Sequence, residues 1–328
     1  MTASLAPGVW GVVATPFAGP GLGVDEASLS RLVRHYQRIG VTGVTVLGVF
    51  GEAARLSTPE RRRVLEVVCE SARLPLVIGV TGLATAPVVE EAAAVAGIVG
   101  DRAAGLMVQV NSPDPAVAAR HLNAVHDATG HGIVVQDYPV ASGVTIRTGD
   151  LAAVVADVPS AVAVKAEAPP TPVAVAALAA RVRIPVFGGL GGLGLLDELA
   201  AGAAGAMTGF SFPEGLIACV EAWRTGGYAA AREAFLPYLP LVNFEAQAAV
   251  GLALRKEALR RRGLILDAGV RPPAAGLPEG LVPQLERHLA VLDPAPVAPD
   301  GEGPAPVAPG GVGPGPVAPG GEVSGELG

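Results

Sequence analysis

Chemistry in this sequence is concentrated in two lysines. Of 23 basic residues all but Lys165 and Lys256 are arginine, and only an amine can work in a neutral, nucleophilic form. A coding bias toward arginine would account for the scarcity and still leave each lysine as a candidate for such work. Lys165 sits in Ser160-Ala-Val-Ala-Val-Lys-Ala-Glu167, a short β-rich run. If Val162 and Val164 face outward, alternation turns Ala161, Ala163 and Lys165 inward, with the alanines leaving room beneath the ammonium group. Burial there would lower the amine from about 10.4 toward neutrality, at roughly 1.4 kcal/mol per unit. A free amine is what a Schiff base with a carbonyl substrate requires. The same residues also suit a strand-end lysine that snorkels to water or pairs with Glu167.

Such a lysine needs a scaffold. The 328 residues are 50% apolar, 16% charged and 4% aromatic, a globular composition with a substantial buried core. A net charge of -7 has the wrong sign for a phosphate-backbone partner, so nucleic acid is not expected. Cys69 and Cys219 match no zinc spacing and are too few for a disulfide framework, which predicts buried, inert thiols in a reducing cytoplasm. The uncharged first 24 residues lack a basic segment and are broken by Pro7, Pro16 and Pro20, so they read as mature structure. Every other apolar run is interrupted by Gly or Pro before it reaches membrane-spanning length.

From Val9 to about Phe210, short β-rich runs alternate with helical patterns. Strands are predicted at Trp10 to Ala14, Val44 to Leu47, Leu76 to Val80, Leu106 to Val110, Ile133 to Tyr138, Ala161 to Lys165, Pro185 to Gly188 and Ala206 to Thr208. Ser57-Thr58-Pro59-Glu60 has the spacing of a capping box, opening a helix to about Arg73. Eight such units predict an α/β fold, a TIM (β/α)8 barrel over residues 1–212. Glu214 to Arg224, Ala229 to Phe235, Glu245 to Arg262 and Glu279 to Leu292 then form a C-terminal helical extension over 213–293. Residues 294–328 repeat Pro-Val-Ala-Pro in a Gly- and Pro-rich background and predict a disordered tail. Lys165 thereby falls at the C-terminal end of strand six, where barrels of this kind carry their chemistry.

Several segments resemble one family in order and spacing: Gly11-Val-Val-Ala-Thr-Pro-Phe17, Gly43-Val-Thr-Val-Leu-Gly-Val-Phe-Gly-Glu52, Val134-Val-Gln-Asp-Tyr-Pro139, Val164-Lys165 and Gly202-Ala-Ala-Gly-Ala-Met-Thr208. Over about residues 8 to 292 the chain resembles the dihydrodipicolinate synthase and N-acetylneuraminate lyase family of pyruvate-handling aldolases. The resemblance implies that Lys165 forms an imine with pyruvate or another 2-oxo acid. It also implies a small-molecule aldehyde as second partner, no cofactor, and a homotetramer or homodimer, while the histidine spacing predicts no metal and the cysteine usage a cytoplasmic protein. Departures are equally specific. Where the family carries Gly-Thr-Thr-Gly-Glu, with hydroxyls that relay protons and hold the carboxylate, this chain has Val49 and Phe50. Backbone N–H groups from Gly48 to Gly51 are then left to hold the carboxylate. Gln136 stands where the catalytic tyrosine is expected, and Tyr138 lies two residues on, on the same face by parity or packed at the barrel rim. The synthase arginine aligns near Ala141, with Arg147 the nearest downstream, and no relay tyrosine occurs in Val110-Asn-Ser-Pro-Asp114.

These departures favour aldol cleavage or condensation, or a hydratase variant, over dihydrodipicolinate synthase-type condensation; a non-catalytic 2-oxo acid binding protein is the alternative of a different class. The candidate catalytic residues are Lys165, Tyr138 and Gln136, and the candidate substrate-binding residues are Gly48, Val49, Phe50, Gly51, Gly188, Gly189 and Thr208, with Glu167 as a tuner of the amine or its salt-bridge partner. Gly188 to Gly194 fits a loose dinucleotide pattern, but it follows strand seven instead of opening a nucleotide-binding unit, so it reads as pocket lining. His121 and His126 are five apart and share no ligand face. Arg255-Lys256 and Arg260 to Arg262 read as a solvated helix face.

Overall fold

The structure, a computed structural model, describes residues 3–292. The predicted tail, 294–328, lies outside the described residues. Eight parallel strands close into a barrel: β1 Gly8–Val12, β2 Gly43–Val46, β3 Leu76–Gly79, β4 Ala103–Gln109, β5 Ile133–Asp137, β6 Ala161–Ala166, β7 Val186–Gly188 and β8 Gly205–Thr208, with β8 returning to pair with β1. They are short and rich in Val, Ile and Ala because both faces are covered, by the barrel interior on one side and by helices on the other. A two-residue antiparallel ribbon, Phe17–Ala18 with Gly23–Val24, follows β1.

The surrounding helices are α1 Glu26–Arg38, α2 Thr58–Ser71, α3 Thr85–Val99, α4 Pro115–Thr129, the single turn α5 Pro139–Ser142, α6 Thr148–Ala156, α7 Thr171–Ala179 and α8 Leu195–Ala200. Their starts are written locally. In α2 the Ser57 hydroxyl accepts from the Glu60 N–H while the Glu60 carboxylate accepts from the Ser57 N–H, the capping box expected from the sequence, with Pro59 in the first turn. Asp25 and Asp114 cap α1 and α4 with side-chain oxygens. In α1, Leu29, Leu32, Val33 and Tyr36 recur at helical spacing and are fully buried against the barrel.

Past the barrel come α9 Pro213–Phe235, α10 Leu239–Glu245, α11 Gly251–Arg261 and α12 Val282–Leu292. Two boundaries differ from the sequence reading. Helices expected at 214–224 and 229–235 are one element with a kink at Gly227, whose φ of 67° only glycine adopts without strain. The segment expected as one helix from Glu245 to Arg262 breaks between Glu245 and Gly251. Phe212, Leu216, Phe235, Leu241, Leu285 and Leu289 share one apolar cluster with Val9, Leu195 and Ala206, so these helices pack on the β1/β8 side of the barrel.

The expected solvated face at 255–262 is corrected by the structure. Lys256 is fully buried; its Nζ lies 2.6 Å from Glu52 Oε1, donates to the Gly269 carbonyl at 2.7 Å, and stands 4.1 Å from the centroid of the Phe17 ring. Arg262 is buried between the Ser211 carbonyl and Glu214. Arginine and lysine on this helix tie the extension to the barrel, which charge patterning alone does not reveal. Among the described residues, no helix is long and apolar enough to cross a membrane.

Trp10, Val77, Met107, Val134, Val162, Ala163, Phe187 and Met207 fill the lower barrel, with Leu5 from the N-terminal segment joining them. Val162 was expected to face outward. It enters the interior because the β5–β6 pairing slips between Ile133 and Val134, which gives β6 an extra residue at that point. Above the slip the register runs Gln136 beside Lys165, and both point inward as the alternation requires.

Candidate active site

Two residues beyond the apolar plug, the same inward faces carry Gln109, Gln136 and Lys165, and then Gly189 and Gly209 just past β7 and β8. Glycines here leave a hollow into which other side chains reach. A Cβ at Gly189 would collide with the Glu167 carboxylate, and one at Gly209 with the Phe50 ring.

Lys165 is 6% exposed, with its Nζ 3.1 Å from Glu167 Oε2. Gln136 donates from Nε2 to that same Oε2 at 2.7 Å, and the Leu190 N–H donates to Oε1 at 3.3 Å. The pairing of Lys165 with Glu167, one of the alternatives open in the sequence, is what the structure contains. Glu167 is thus a buried carboxylate fixed from three sides, with one oxygen against the amine. Gln136 cannot exchange a proton at neutral pH, and its amide serves as the orienting donor.

Tyr138 follows β5 directly, half-buried at the start of α5. Burial pushes its phenol above the ordinary value, the Glu167 charge pushes it further, and Arg255 opposes both. Its hydroxyl therefore keeps its proton at neutral pH. Asp137, turned the other way, is raised to about 6 by burial and by Glu167.

The loop after β2 is bounded by two left-handed residues, Leu47 at φ 59° and Glu52 at φ 55°, and pinned by the Thr15 hydroxyl, which donates to the Gly51 carbonyl at 2.7 Å. Among the described residues the N–H groups of Val49, Phe50 and Gly51 have no backbone acceptor, which leaves them free for an anion. Gly48 and Gly51 are buried, Phe50 is half-buried and Val49 is 49% exposed. Of the strand-eight and strand-seven candidates, Thr208 accepts from the Gly191 N–H at 2.7 Å and so shapes the loop after β7. Gly188 faces the outer layer, against Glu198. Three residues were not assigned to the site from sequence. Gln109 Oε1 and Thr45 Oγ1 are buried without partners among the described residues, and strand alternation from Met107 would have found Gln109. Arg255, which reaches the mouth from α11, gives no local signal at all.

Behind β7, Glu198 is 1% exposed; Oε1 accepts from the Thr171 hydroxyl at 2.5 Å and Oε2 has no partner among the described residues. Burial raises it from 4.5 to about 7, with the Thr171 bond opposing and the Glu167 charge adding. A folded-state pKa above the unfolded one means the folded protein holds an extra proton between those values, so this contribution to stability is present below about 4.5 and lost as pH rises through about 7. Glu198→Gln is uncharged throughout. Between pH 4.5 and 8 its unfolding free energy should gain on the wild type by about 3 kcal/mol, measured by denaturant titration at both pH values. Parallel profiles for the two proteins would show that Glu198 ionises normally.

The family model described as the dihydrodipicolinate synthetase family matches residues 6–291. An L-2-keto-3-deoxyarabonate dehydratase of Azospirillum brasilense is 30% identical over 294 residues, covering 83% of this chain and 91% of that protein. A 4-hydroxy-tetrahydrodipicolinate synthase of Kineococcus radiotolerans is 32% identical over 300 residues, covering 88% and 94%. Among solved structures, the dihydrodipicolinate synthase of Rhodopseudomonas palustris superimposes with a TM-score of 0.81 at 29% identity, covering 88% of this chain and 99% of that one. With a closed barrel, an inward lysine on its sixth strand and a family match along nearly the whole described chain, the protein belongs to the dihydrodipicolinate synthetase family.

Proposed function

We propose that the protein is a lysine-dependent lyase that forms an imine between Lys165 and pyruvate or another 2-oxo acid, and then cleaves or forms a C–C bond, or eliminates across C–O. The observation that carries this reading is the buried pair of Lys165 Nζ and Glu167 Oε2 at 3.1 Å, at the strand-six position. Glu167 takes a proton from the ammonium, and the amine lone pair then forms the N–C2 bond as the carbonyl π pair moves to oxygen. One nitrogen proton is relayed to that oxygen. The Glu167 carboxylic acid then protonates the hydroxyl, water leaves with the C–O pair, and the nitrogen lone pair closes the iminium. Glu167, again a carboxylate, then removes a C3 proton to give the enamine, while Gln136, which donates to it, keeps it aimed and Tyr138 donates at the mouth.

Synthase-type condensation is disfavoured by particular residues. Ala141 replaces the expected arginine, and Arg147 is 87% exposed in a surface pair with Asp150. The names of the two relatives above, one a dehydratase and one a synthase, support reading both elimination and condensation as chemistry of this fold. The test is exchange of the pyruvate methyl protons in deuterated water, followed by NMR. The wild type should exchange them. Pyruvate binding without exchange would favour a 2-oxo acid binding protein in which turnover is lost. In Glu167→Gln, exchange should fall by about 10²- to 10⁴-fold, and borohydride trapping of pyruvate on Lys165 should slow as well, since the same carboxylate serves imine formation. Undiminished exchange would remove Glu167 from proton transfer.

A further inference from the structure

Loss of the threonine hydroxyls at 49 and 50 leaves a question of charge, since a 2-oxo acid brings a carboxylate into a largely apolar barrel mouth. Neutral N–H groups of the β2 loop are the only anion-binding feature the sequence suggested. The structure brings a full positive charge to the same loop from a distant element. Arg255, on α11, has its guanidinium carbon 5.6 Å from the centroid of the Phe50 ring. Its Nη2 lies where a Cβ at Gly191 would be 2.6 Å away, so this glycine, at φ 73°, is what lets the guanidinium approach the loop after β7. Arg255 therefore stands between the β2 and β7 loops at the C-terminal end of the barrel, and its charge reaches Tyr138 on the strand-five side.

Only one edge of this guanidinium is used. Nε donates to Glu245 Oε2 at 3.1 Å. Glu245 is 1% exposed and is itself fixed by the Ser211 hydroxyl and N–H, so the arginine is oriented by a buried partner that is also held. Neither Nη1 nor Nη2 donates to any acceptor among the described residues, although the side chain is 16% exposed. Four donors in a planar fork, pre-oriented and shielded from most solvent, match the geometry of a carboxylate.

We propose that Arg255 binds the C1 carboxylate of the 2-oxo acid substrate, together with the free N–H groups of Val49, Phe50 and Gly51. Recognition that the family's hydroxyls perform on the loop is supplied here by a guanidinium laid over it. Phe50 then has a purpose that its replacement of a threonine otherwise lacks: its ring fills the space at Gly209 and forms the platform for Arg255. Glu245 and Ser211 are positioning residues for that fork.

This proposal rests on the imine-forming reading, but direct binding tests it separately. Calorimetry should show pyruvate binding weakened about 10- to 100-fold in Arg255→Met, the range for a charge-assisted hydrogen-bonding pair. Methyl pyruvate, which has the carbonyl but no carboxylate charge, should bind wild type and variant equally. Because Arg255→Met leaves Glu245 buried without its cation, the double variant Arg255→Met/Glu245→Gln and the conservative Arg255→Lys are measured beside it. Arg255→Lys should recover part of the affinity, since it keeps the charge and loses the fork. In borohydride trapping, the pyruvate concentration for half-maximal adduct should rise by the same factor with the plateau unchanged. Equal preference for pyruvate over methyl pyruvate in wild type and in every folded Arg255 variant would overturn the proposal. Absence of any adduct alongside an Arg255-dependent calorimetric preference would overturn the imine and leave the carboxylate site standing.

Discussion

Lys165→Arg should abolish turnover while the barrel remains folded. A guanidinium stays protonated in proteins and has no free lone pair to attack a carbonyl, yet its charge can still face Glu167. That separates the loss of a nucleophile from the loss of an ion pair. The expected fall in pyruvate methyl exchange is about 10⁴-fold or more, the scale for removing a residue from a catalytic unit that acts as one. Lys165→Ala is the useful contrast. It strands the Glu167 carboxylate at 4% exposure without its cation, so it should also cost about 3–5 kcal/mol in denaturant unfolding. Exchange persisting in Lys165→Arg at more than a tenth of the wild-type rate would mean that another group forms the reactive species.

The second large effect is structural and starts from the other lysine. Lys256→Met should destabilise the protein by about 3–5 kcal/mol, because Glu52 is left with a carboxylate oxygen in a fully buried site. Glu52 retains bonds from the Arg271 N–H at 2.9 Å and from Arg55 at 3.0 Å, and these cannot replace the ammonium contact at 2.6 Å. The double variant Lys256→Met/Glu52→Gln should recover more than half of the loss, since the buried carboxylate that lost its ammonium partner is now neutral. Denaturant midpoints with unchanged slopes would read this directly. Additive losses in the double variant would show that the two residues act independently. Glu52 also closes the β2 loop, so the single variant should raise the pyruvate concentration needed for exchange, linking the extension to the site.

Much of this was legible in the sequence, and the reasons can be stated residue by residue. Eight β-rich runs separated by capped helices implied the barrel, because the Ser57 box and the strand pattern are local signals that the structure retains. Alternation points Lys165 inward, and the family resemblance singles out Gln136; that the two stand side by side comes from the β5–β6 register. Below residue 163 alternation failed for Val162, since a bulge is a property of two paired strands and leaves no mark on one. Glu167 was visible as a neighbour of Lys165, but its contact with Gln136 depends on the β5–β6 register. Arg255 and Lys256 carry a solvent-facing pattern in sequence because their partners, Glu245, Phe50 and Glu52, are brought to them only by tertiary packing. The apolar substitutions at 49 and 50 looked like a simple loss in sequence. Only the position of α11 shows a cation over the same loop.

The most direct test of the central claim is borohydride reduction in the presence of a panel of 2-oxo acids, followed by mass mapping of the modified peptide. A reduced adduct confined to Lys165, with its mass identifying the preferred acid, is the expected result. An unmodified Lys165 after reduction with every acid in the panel, in protein that binds at least one of them, would contradict the imine mechanism.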